Sequence, residues 1–184
     1  MTDRPPPDFA MTRAADILAN IVRETQTRSP QAAPRLPHPV LLRGDRITLA
    51  VGSTTRAAVE CILGAGGEYP VAGWASYAIS GPREPLALVS AFYRDDLLIA
   101  AELYRSRAQS VPGVPRVATR FRLDPIALSL GDALRVPPAG FIRAQSGPAG
   151  TVYGDAFEAR FPGGVAFAMG NAGVAERLVL YAER

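Results

Sequence analysis

Segments in which apolar residues alternate with small or polar residues recur along most of this chain. Such a two-residue period is typical of β-strands whose two faces meet different surroundings. Two tight turns join neighbouring segments, at Arg94–Asp96 and Asn171–Gly173, where Asp, Asn and Gly tolerate left-handed backbone. The pattern predicts these strands: Ile47–Ser53, Trp74–Ser80, Leu86–Arg94, Leu97–Arg105, Ile126–Asp132, Thr151–Phe161, Val165–Gly170 and Glu176–Ala182.

Helical spacing follows the first strand of each half of this pattern. Thr54–Leu63 is a predicted helix that Gly64 ends, and Asp132–Ala144 is a weaker one that Pro137 and Pro138 interrupt. Since a hairpin follows each helix, the sequence predicts an internal duplication. The expected fold class is α+β, with two repeated helix-plus-antiparallel-hairpin units forming one curved sheet. Chance similarity between short strand patterns is the alternative explanation.

An amphipathic segment and a Pro-rich stretch precede the predicted strands. Residues Asp8–Glu24 carry Met11, Leu18 and Val22 at helical spacing, and Pro30, Pro34, Pro37 and Pro39 then favour an extended linker over Arg28–Val40. A lone helix of this length is marginal in water, so its apolar side is expected to dock on something. The predicted organisation is an arm over residues 1–40, a first unit over 41–112 and a second over 113–184.

Strand alternation also predicts which side chains share a sheet face. In the first hairpin we expect Leu88, Phe92, Ile99, Ala101 and Leu103 under the helix, and Val89, Ala91, Tyr93, Ala100, Glu102 and Tyr104 on the opposite face. In the second we expect Val165, Phe167, Met169, Leu178 and Leu180 in the core, and Ala166, Ala168, Val179 and Tyr181 outside. An outer face with so many apolar side chains is expected to be shielded from water by another segment or molecule. Either the chain's own N-terminal helix or a partner protein could provide this shielding, and the predicted partner-binding residues are Tyr77, Tyr93, Glu102, Tyr104, Tyr153, Tyr181, Met11, Leu18 and Val22.

Part of the chain resembles two known families. The run from Val51 to Gly64 (VGSTTRAAVECILG), Trp74–Tyr77 (WASY) and Ser90–Leu103 (SAFYRDDLLIAAEL) look like the small outer-membrane lipoproteins of the SmpA/OmlA type. They also resemble the tandem units of β-lactamase inhibitor protein. The resemblance implies a protein-binding scaffold, often in the cell envelope. The sequence departs from the lipoprotein pattern in lacking a lipoprotein signal and an early acylatable Cys.

The supply of reactive side chains is small and argues against common catalytic sites. The chain has one His, one Cys and no Lys, which leaves almost no material for a Ser-His-Asp triad, a Cys-His dyad or a zinc site. His38 lies between prolines, where a solvated linker residue is expected, and Cys61 is expected on the apolar side of its helix. All 20 cationic side chains are Arg. Read as one strand, residues 116–122 place Arg116, Arg120 and Arg122 on one face, which is either an anion-binding surface or a solvated sheet edge.

These observations predict a non-enzymatic protein-interaction or scaffold subunit that uses its sheet face, its N-terminal helix or both. A carrier of a small apolar or amphipathic ligand and an Arg-mediated contact with nucleic acid or another anionic partner are the alternatives. We expect no cofactor, no metal and no catalytic residues. A net charge of +3 is too small to indicate nucleic acid by itself. Without an export signal or an apolar run of membrane-spanning length, the expected location is cytoplasmic, or periplasmic if an export signal has been removed.

Overall fold

The structure, a computed structural model, describes residues 35–69, 73–79, 87–106, 110–144 and 154–183, and these form a mostly β architecture of two sheets and one helix. The helix, α1, covers Arg56–Leu63. The strands are β1 (Leu41–Gly44), β2 (Thr48–Leu49), β3 (Trp74–Ile79), β4 (Ala87–Arg94), β5 (Leu97–Arg105), β6 (Arg116–Val117), β7 (Phe121–Asp124), β8 (Ile142–Arg143), β9 (Asp155–Phe161), β10 (Gly164–Asn171) and β11 (Val174–Ala182).

The larger sheet has eight strands in the order β6-β3-β4-β5-β11-β10-β9-β8. All neighbouring pairs are antiparallel except β3 and β6. Strands β5 and β11 meet at its centre, so each half of the chain supplies one hairpin to the middle of the sheet. The smaller sheet has the order β2-β1-β7 and is antiparallel throughout.

The two central hairpins, β4–β5 and β10–β11, have the same construction. Each has a strand of eight residues, a two-residue turn and a strand of nine residues. Both turns lie in the left-handed region, with φ of 50° and 64° at Asp95 and Asp96, and 51° and 75° at Ala172 and Gly173. Two-residue turns of this hand match the right-handed twist of the flanking strands. Both turns were predicted from the sequence, and both are confirmed.

The predicted α+β fold class is wrong, because the helix-plus-hairpin unit is not repeated. Helix α1 begins after Thr55, whose hydroxyl accepts a hydrogen bond from the Ala58 amide at 3.2 Å, and ends at Gly64. The corresponding segment of the second half, residues 132–144, contains no helix. Its start lies along β11 instead, where Ala133 forms a bridge with Val174 and the Leu134 amide donates to the carbonyl of Gly173. The two halves therefore share a hairpin and not a helix.

The predicted strands that precede these segments are also shorter than expected. Residues 47–53 contain only the two-residue β2, which pairs with β1. Residues 126–132 contain no strand, and Leu128 forms a single bridge with Leu123. The expected strand over residues 116–122 is divided into β6 and β7, which belong to different sheets.

The first face of the large sheet forms the main core. The small sheet and α1 pack on it, because their buried side chains Leu42, Leu49, Leu123 and Val59 belong to one continuous cluster with the first-face residues. The first-face members include Ala75, Tyr77, Val89, Ala91, Tyr93, Ala101, Leu103, Phe157, Phe161, Ala166, Ala168, Leu178 and Leu180. This cluster contains most of the buried apolar residues of the described chain.

The second face of the large sheet is buried as well. Ala78 and Leu88 form a small cluster on this face. Its larger cluster consists of residues that are each at most 4% exposed: Trp74, Phe92, Ala100, Phe167, Met169, Val179 and Tyr181. Ile99, Ala144, Ala156 and Val165 pack against this cluster. The large sheet is therefore apolar and buried on both faces in its central part.

Two β-bulges decide which residues share a face. In the first hairpin Tyr93 pairs with Leu98 but Phe92 pairs with Ala100, so Ile99 is an extra residue. In the second, Gly170 pairs with Ala175 but Met169 pairs with Arg177, so Glu176 is extra. An extra residue on one strand reverses the faces of every position beyond it.

The predicted face assignments are wrong for this reason. Beyond the first bulge, Leu88, Ser90 and Phe92 share the second face with Ala100, Glu102 and Tyr104, whereas Val89 and Ala91 share the first face with Ala101 and Leu103. Beyond the second bulge, Phe167 and Met169 share the second face with Val179 and Tyr181, whereas Ala166 and Ala168 share the first with Leu178 and Leu180.

The described end of the Pro-rich stretch contacts the body of the protein. The Leu36 amide donates to the carbonyl of Arg160 at 2.7 Å, and the Arg35 guanidinium forms a 3.0 Å ion pair with Glu183. Val40 is fully buried in the main core. The predicted N-terminal helix lies outside the described residues.

Replacing Ala172 with Asn is expected to stabilise the protein by about 0.5–1 kcal/mol, because alanine is strained in left-handed backbone whereas Asn tolerates it. Ala172 is exposed at the β10–β11 turn, so the new side chain meets solvent. Urea denaturation followed by circular dichroism would measure the change. Ala118→Asn is the control, since Ala118 is also exposed but lacks a positive φ. An equal gain in both variants would contradict this explanation.

Candidate anion-binding face

The outer face of the small sheet carries two arginines side by side. Arg43 of β1 and Arg122 of β7 are register partners, and so are the neighbouring Leu42 and Leu123. Because side chains alternate along a strand, the two leucines point into the core, where both are fully buried, and the two arginines point outward. Like charges directly opposite each other repel, so this pair needs a compensating group.

Asp124 supplies the compensating charge. Its carboxylate accepts a hydrogen bond from Nε of Arg43 at one oxygen and from Nε of Arg122, at 2.9 Å, at the other. The Asp124 side chain is 14% exposed, whereas those of Arg43 and Arg122 are 50% and 51% exposed. One carboxylate thus holds two guanidinium groups, and the three side chains retain one positive charge.

Two more arginines flank this triad. Arg46 and Arg120 are exposed, and Asp45 accepts a hydrogen bond from the Arg120 amide at 3.0 Å. Four arginines against two aspartates leave a net charge of two on this face. We define the arginine face as Arg43, Arg46, Arg120 and Arg122 together with Asp45 and Asp124.

The arginine face has the chemistry of an anion-binding surface. Arg43 and Arg122 each donate to Asp124 through Nε, so the terminal nitrogens of the two guanidinium groups take no part in these two hydrogen bonds. A planar guanidinium can donate two parallel hydrogen bonds to a carboxylate or phosphate. A group already held by Asp124 loses less side-chain entropy when an anion binds.

The structure brings together only part of the predicted arginine set. Arg122 and Arg120 belong to the arginine face, but Arg116 lies on β6 at the edge of the large sheet. The prediction that all three share one strand face is therefore wrong. Thr119 is buried where the chain passes from one sheet to the other. Arg43 and Asp124 were missed, since nothing in the sequence pairs β1 with β7 across a separation of about 80 residues.

The predicted partner-binding tyrosines are distributed over both faces of the large sheet. Tyr77 and Tyr93 lie on the first face, within the main core. The Tyr77 hydroxyl donates to the carbonyl of Gly64 at 2.8 Å, and burial raises the pKa of Tyr77 to about 12. Burial also raises the pKa of Tyr93, whose hydroxyl has no hydrogen-bond partner within the part of the chain that the structure describes.

Tyr104, Tyr181 and Glu102 lie on the second face. Burial raises the pKa of both tyrosines, and the Tyr104 phenol also hydrogen-bonds to Ser90, which lowers its pKa in part. Tyr181 is 2% exposed, and Tyr104 is half-buried. The remaining predicted contact residues, Tyr153, Met11, Leu18 and Val22, lie outside the described residues.

A polar strip crosses the apolar second face. Ser76 and Ser90 share a 2.6 Å hydrogen bond between their hydroxyls, and Glu102 is the register partner of Ser90 on the next strand. Glu102 accepts a 2.7 Å hydrogen bond from Arg177 as part of an ion pair in which the side chains are 9% and 20% exposed. The ion pair links β5 to β11, the two strands at which the halves of the sheet meet.

The single histidine and the single cysteine are both exposed. His38 lies before β1, as expected for a solvated linker residue. Cys61 was expected on the apolar side of the helix, which is wrong: α1 buries Val59 and leaves Cys61 in solvent. In the described ranges, no three His, Cys, Asp or Glu side chains come together in a way that could hold a metal ion.

Comparison of the chain with protein-family models, with curated proteins and with solved structures gives no match. The resemblance to β-lactamase inhibitor protein and to the small outer-membrane lipoproteins therefore stays a prediction. In the described part, the one helix has eight residues, too few to cross a membrane. The fold and the site together define a mostly β, two-sheet protein with an arginine-bearing outer face.

Proposed function

We propose that this chain is a non-enzymatic interaction module that binds an acidic protein partner through its arginine face. The pair of guanidinium groups that Asp124 holds together is the observation that carries this proposal. Arg43 and Arg122 are half-exposed and retain donors for a second anion. Arginine is also enriched among the residues that contribute most to protein–protein affinity.

This proposal replaces the partner surface that the sequence suggested. Tyr77, Tyr93 and Tyr181 are buried, so a partner could reach them only if the core opened. A contact through the predicted N-terminal helix stays a second component of the proposal. In that arrangement the arginine face would provide electrostatic attraction, and the apolar stripe of Met11, Leu18 and Val22 would provide buried area.

Replacing both Arg43 and Arg122 with Gln is expected to weaken the binding of a fluorescent acidic peptide of alternating Glu and Gly about tenfold. The reason is the loss of two charge-assisted contacts. Fluorescence anisotropy at several salt concentrations would measure it, and the affinity of the natural protein should fall as salt rises.

The matched control is the double variant Arg94→Gln with Arg135→Gln. These two arginines are exposed, lie outside the arginine face, and their replacement changes the net charge by the same amount. Equal weakening in both double variants would mean that net charge, and not this site, attracts the peptide. An oligonucleotide that binds more tightly than the peptide, with a steep salt dependence and the same loss on replacing Arg43 and Arg122, would identify nucleic acid as the partner class instead.

A further inference from the structure

A pocket of about 480 Å³ lies next to the arginine face, where three loop segments meet. The first segment, 36–38, leads into β1, the second, 125–126, follows β7, and the third, 138–140, precedes β8. The pocket volume falls in the range of small-molecule sites, which is roughly 300–1,000 Å³.

The walls of the pocket are mostly apolar. Pro37, Pro125 and Pro138 line it and bring no backbone N–H donor, and Leu36 and Ile126 add aliphatic surface. Leu36 and Gly140 are in close contact, since a Cβ atom at Gly140 would lie 2.2 Å from Cδ2 of Leu36. Such walls suit the apolar body of a ligand and offer it few hydrogen bonds.

The polar groups at and beside the pocket are His38, the Asp124 carboxylate and the two guanidinium groups that donate to that carboxylate. Of the described residues that line the pocket, His38 alone has a side chain that can form a hydrogen bond. Pro125, another lining residue, directly follows Asp124 in the chain. The Asp124 carboxylate accepts hydrogen bonds from Nε of both Arg43 and Arg122. Among the described residues, the lining contains no Asp or Glu. Arg43, Arg122 and Asp124 together carry a net charge of +1, so the charge beside the pocket favours an anionic group at this end of a ligand.

We propose that this pocket binds a small amphipathic anion, with its apolar body against the proline walls and its carboxylate toward His38 and the Arg43–Arg122 pair. The carrier function considered from the sequence placed such a ligand on the tyrosine-bearing sheet face, which is buried. The pocket is a different place, and the inference does not depend on the binding of a protein partner.

Saturation-transfer NMR with the full chain and three probes of equal length would test the proposal. The probes are phenylbutyrate, phenylbutanol and phenylbutylamine, which share a body and differ in charge. We expect the carboxylate to bind about tenfold more tightly than the alcohol, and the amine to bind most weakly. No saturation transfer to any probe at millimolar concentration would overturn the proposal. Equal affinities for the three probes would overturn the claim that the pocket prefers an anion.

Two variants locate the site. Ala139→Trp places a large ring at the pocket, so all three probes should lose at least tenfold in affinity, whereas Ala57→Trp on the exposed side of α1 should change none of them. Far-ultraviolet circular dichroism would show whether both variants keep the fold. Binding that Ala139→Trp leaves intact in a folded protein would overturn the assignment.

The charge requirement has its own test. In the Arg43→Gln, Arg122→Gln double variant, phenylbutyrate should lose its advantage over phenylbutanol while the alcohol binds as before. If phenylbutyrate still binds more tightly than phenylbutanol in this variant, another cation causes the preference for the carboxylate, and the role proposed for Arg43 and Arg122 is refuted. Ala139→Trp leaves the arginine face in place, so this variant should still bind the acidic peptide. Measuring peptide binding and probe binding in the same variant therefore tests the protein contact and the pocket separately.

Discussion

Replacing Phe167 with Ala is expected to lower the free energy of unfolding by about 3–5 kcal/mol, as much as replacing Phe157 with Ala. The two rings lie on neighbouring strands, β10 and β9, but on opposite faces of the large sheet, and both are fully buried. Phe167 also makes an edge-to-face contact with Tyr181, with ring centroids 6.0 Å apart. Each truncation removes a large apolar side chain from a closely packed site.

Equal losses at the two positions would confirm that both faces of the sheet are core. Urea denaturation at neutral pH, followed by circular dichroism and by the fluorescence of Trp74, would measure the two free energies of unfolding. Val136→Ala is the control, since Val136 is 72% exposed and its truncation should change the stability by less than about 0.5 kcal/mol. A loss below about 1 kcal/mol for Phe167→Ala would mean that the second face is open to water. Should either Ala variant fail to fold, Phe167→Leu and Phe157→Leu give the same comparison with smaller losses.

Removing Arg177 is expected to destabilise the protein more than removing Arg177 and Glu102 together. Arg177→Met leaves the Glu102 carboxylate buried without its cation, which costs about 3–5 kcal/mol. Glu102→Met costs less, about 1–2 kcal/mol, because the Arg177 side chain is 20% exposed and water can still reach it. The double variant removes both members of this ion pair, so its loss should be well below the sum of the two single losses.

A double-mutant cycle of these variants, measured by urea denaturation, gives the coupling free energy directly. We expect about 2 kcal/mol or more in favour of the ion pair. Additive losses would mean that Glu102 and Arg177 do not depend on each other, and that the contact between β5 and β11 is maintained by their backbone hydrogen bonds and apolar neighbours. Arg43→Gln serves as the control, because the more exposed Arg43–Asp124 pair should contribute less than about 1 kcal/mol.

Local patterns in the sequence were enough to predict the central hairpins. The two-residue turns at Asp95–Asp96 and Ala172–Gly173 and the strands beside them follow from local alternation and turn chemistry, and the structure confirms them. Strand β5 has the predicted bounds, Leu97–Arg105. These features depend on residues within about ten positions of each other, so a local pattern contains the information.

The candidate site could not be predicted in the same way. Arg122 was identified as a cation on a strand, but its partners Arg43 and Asp124 become neighbours only when β1 pairs with β7. The 480 Å³ pocket likewise needs segments from three separate parts of the chain. Nothing in the alternation of apolar and polar residues specifies which distant strands pair, because many strands present similar edges.

By itself, the sequence determined where the central strands begin and turn, since strand period and turn chemistry act over a few residues. The tertiary structure alone decided which side of each strand meets which neighbour. Ile99 and Glu176 are each an extra residue in a strand. As a result, Phe92 lies on the second face of the large sheet with Ala100, and Phe167 lies on the same face with Val179. Both faces of these strands are apolar, so the hydrophobic pattern fits either choice of which side chains share a face. The bulged pairing between neighbouring strands determines which of the two choices occurs.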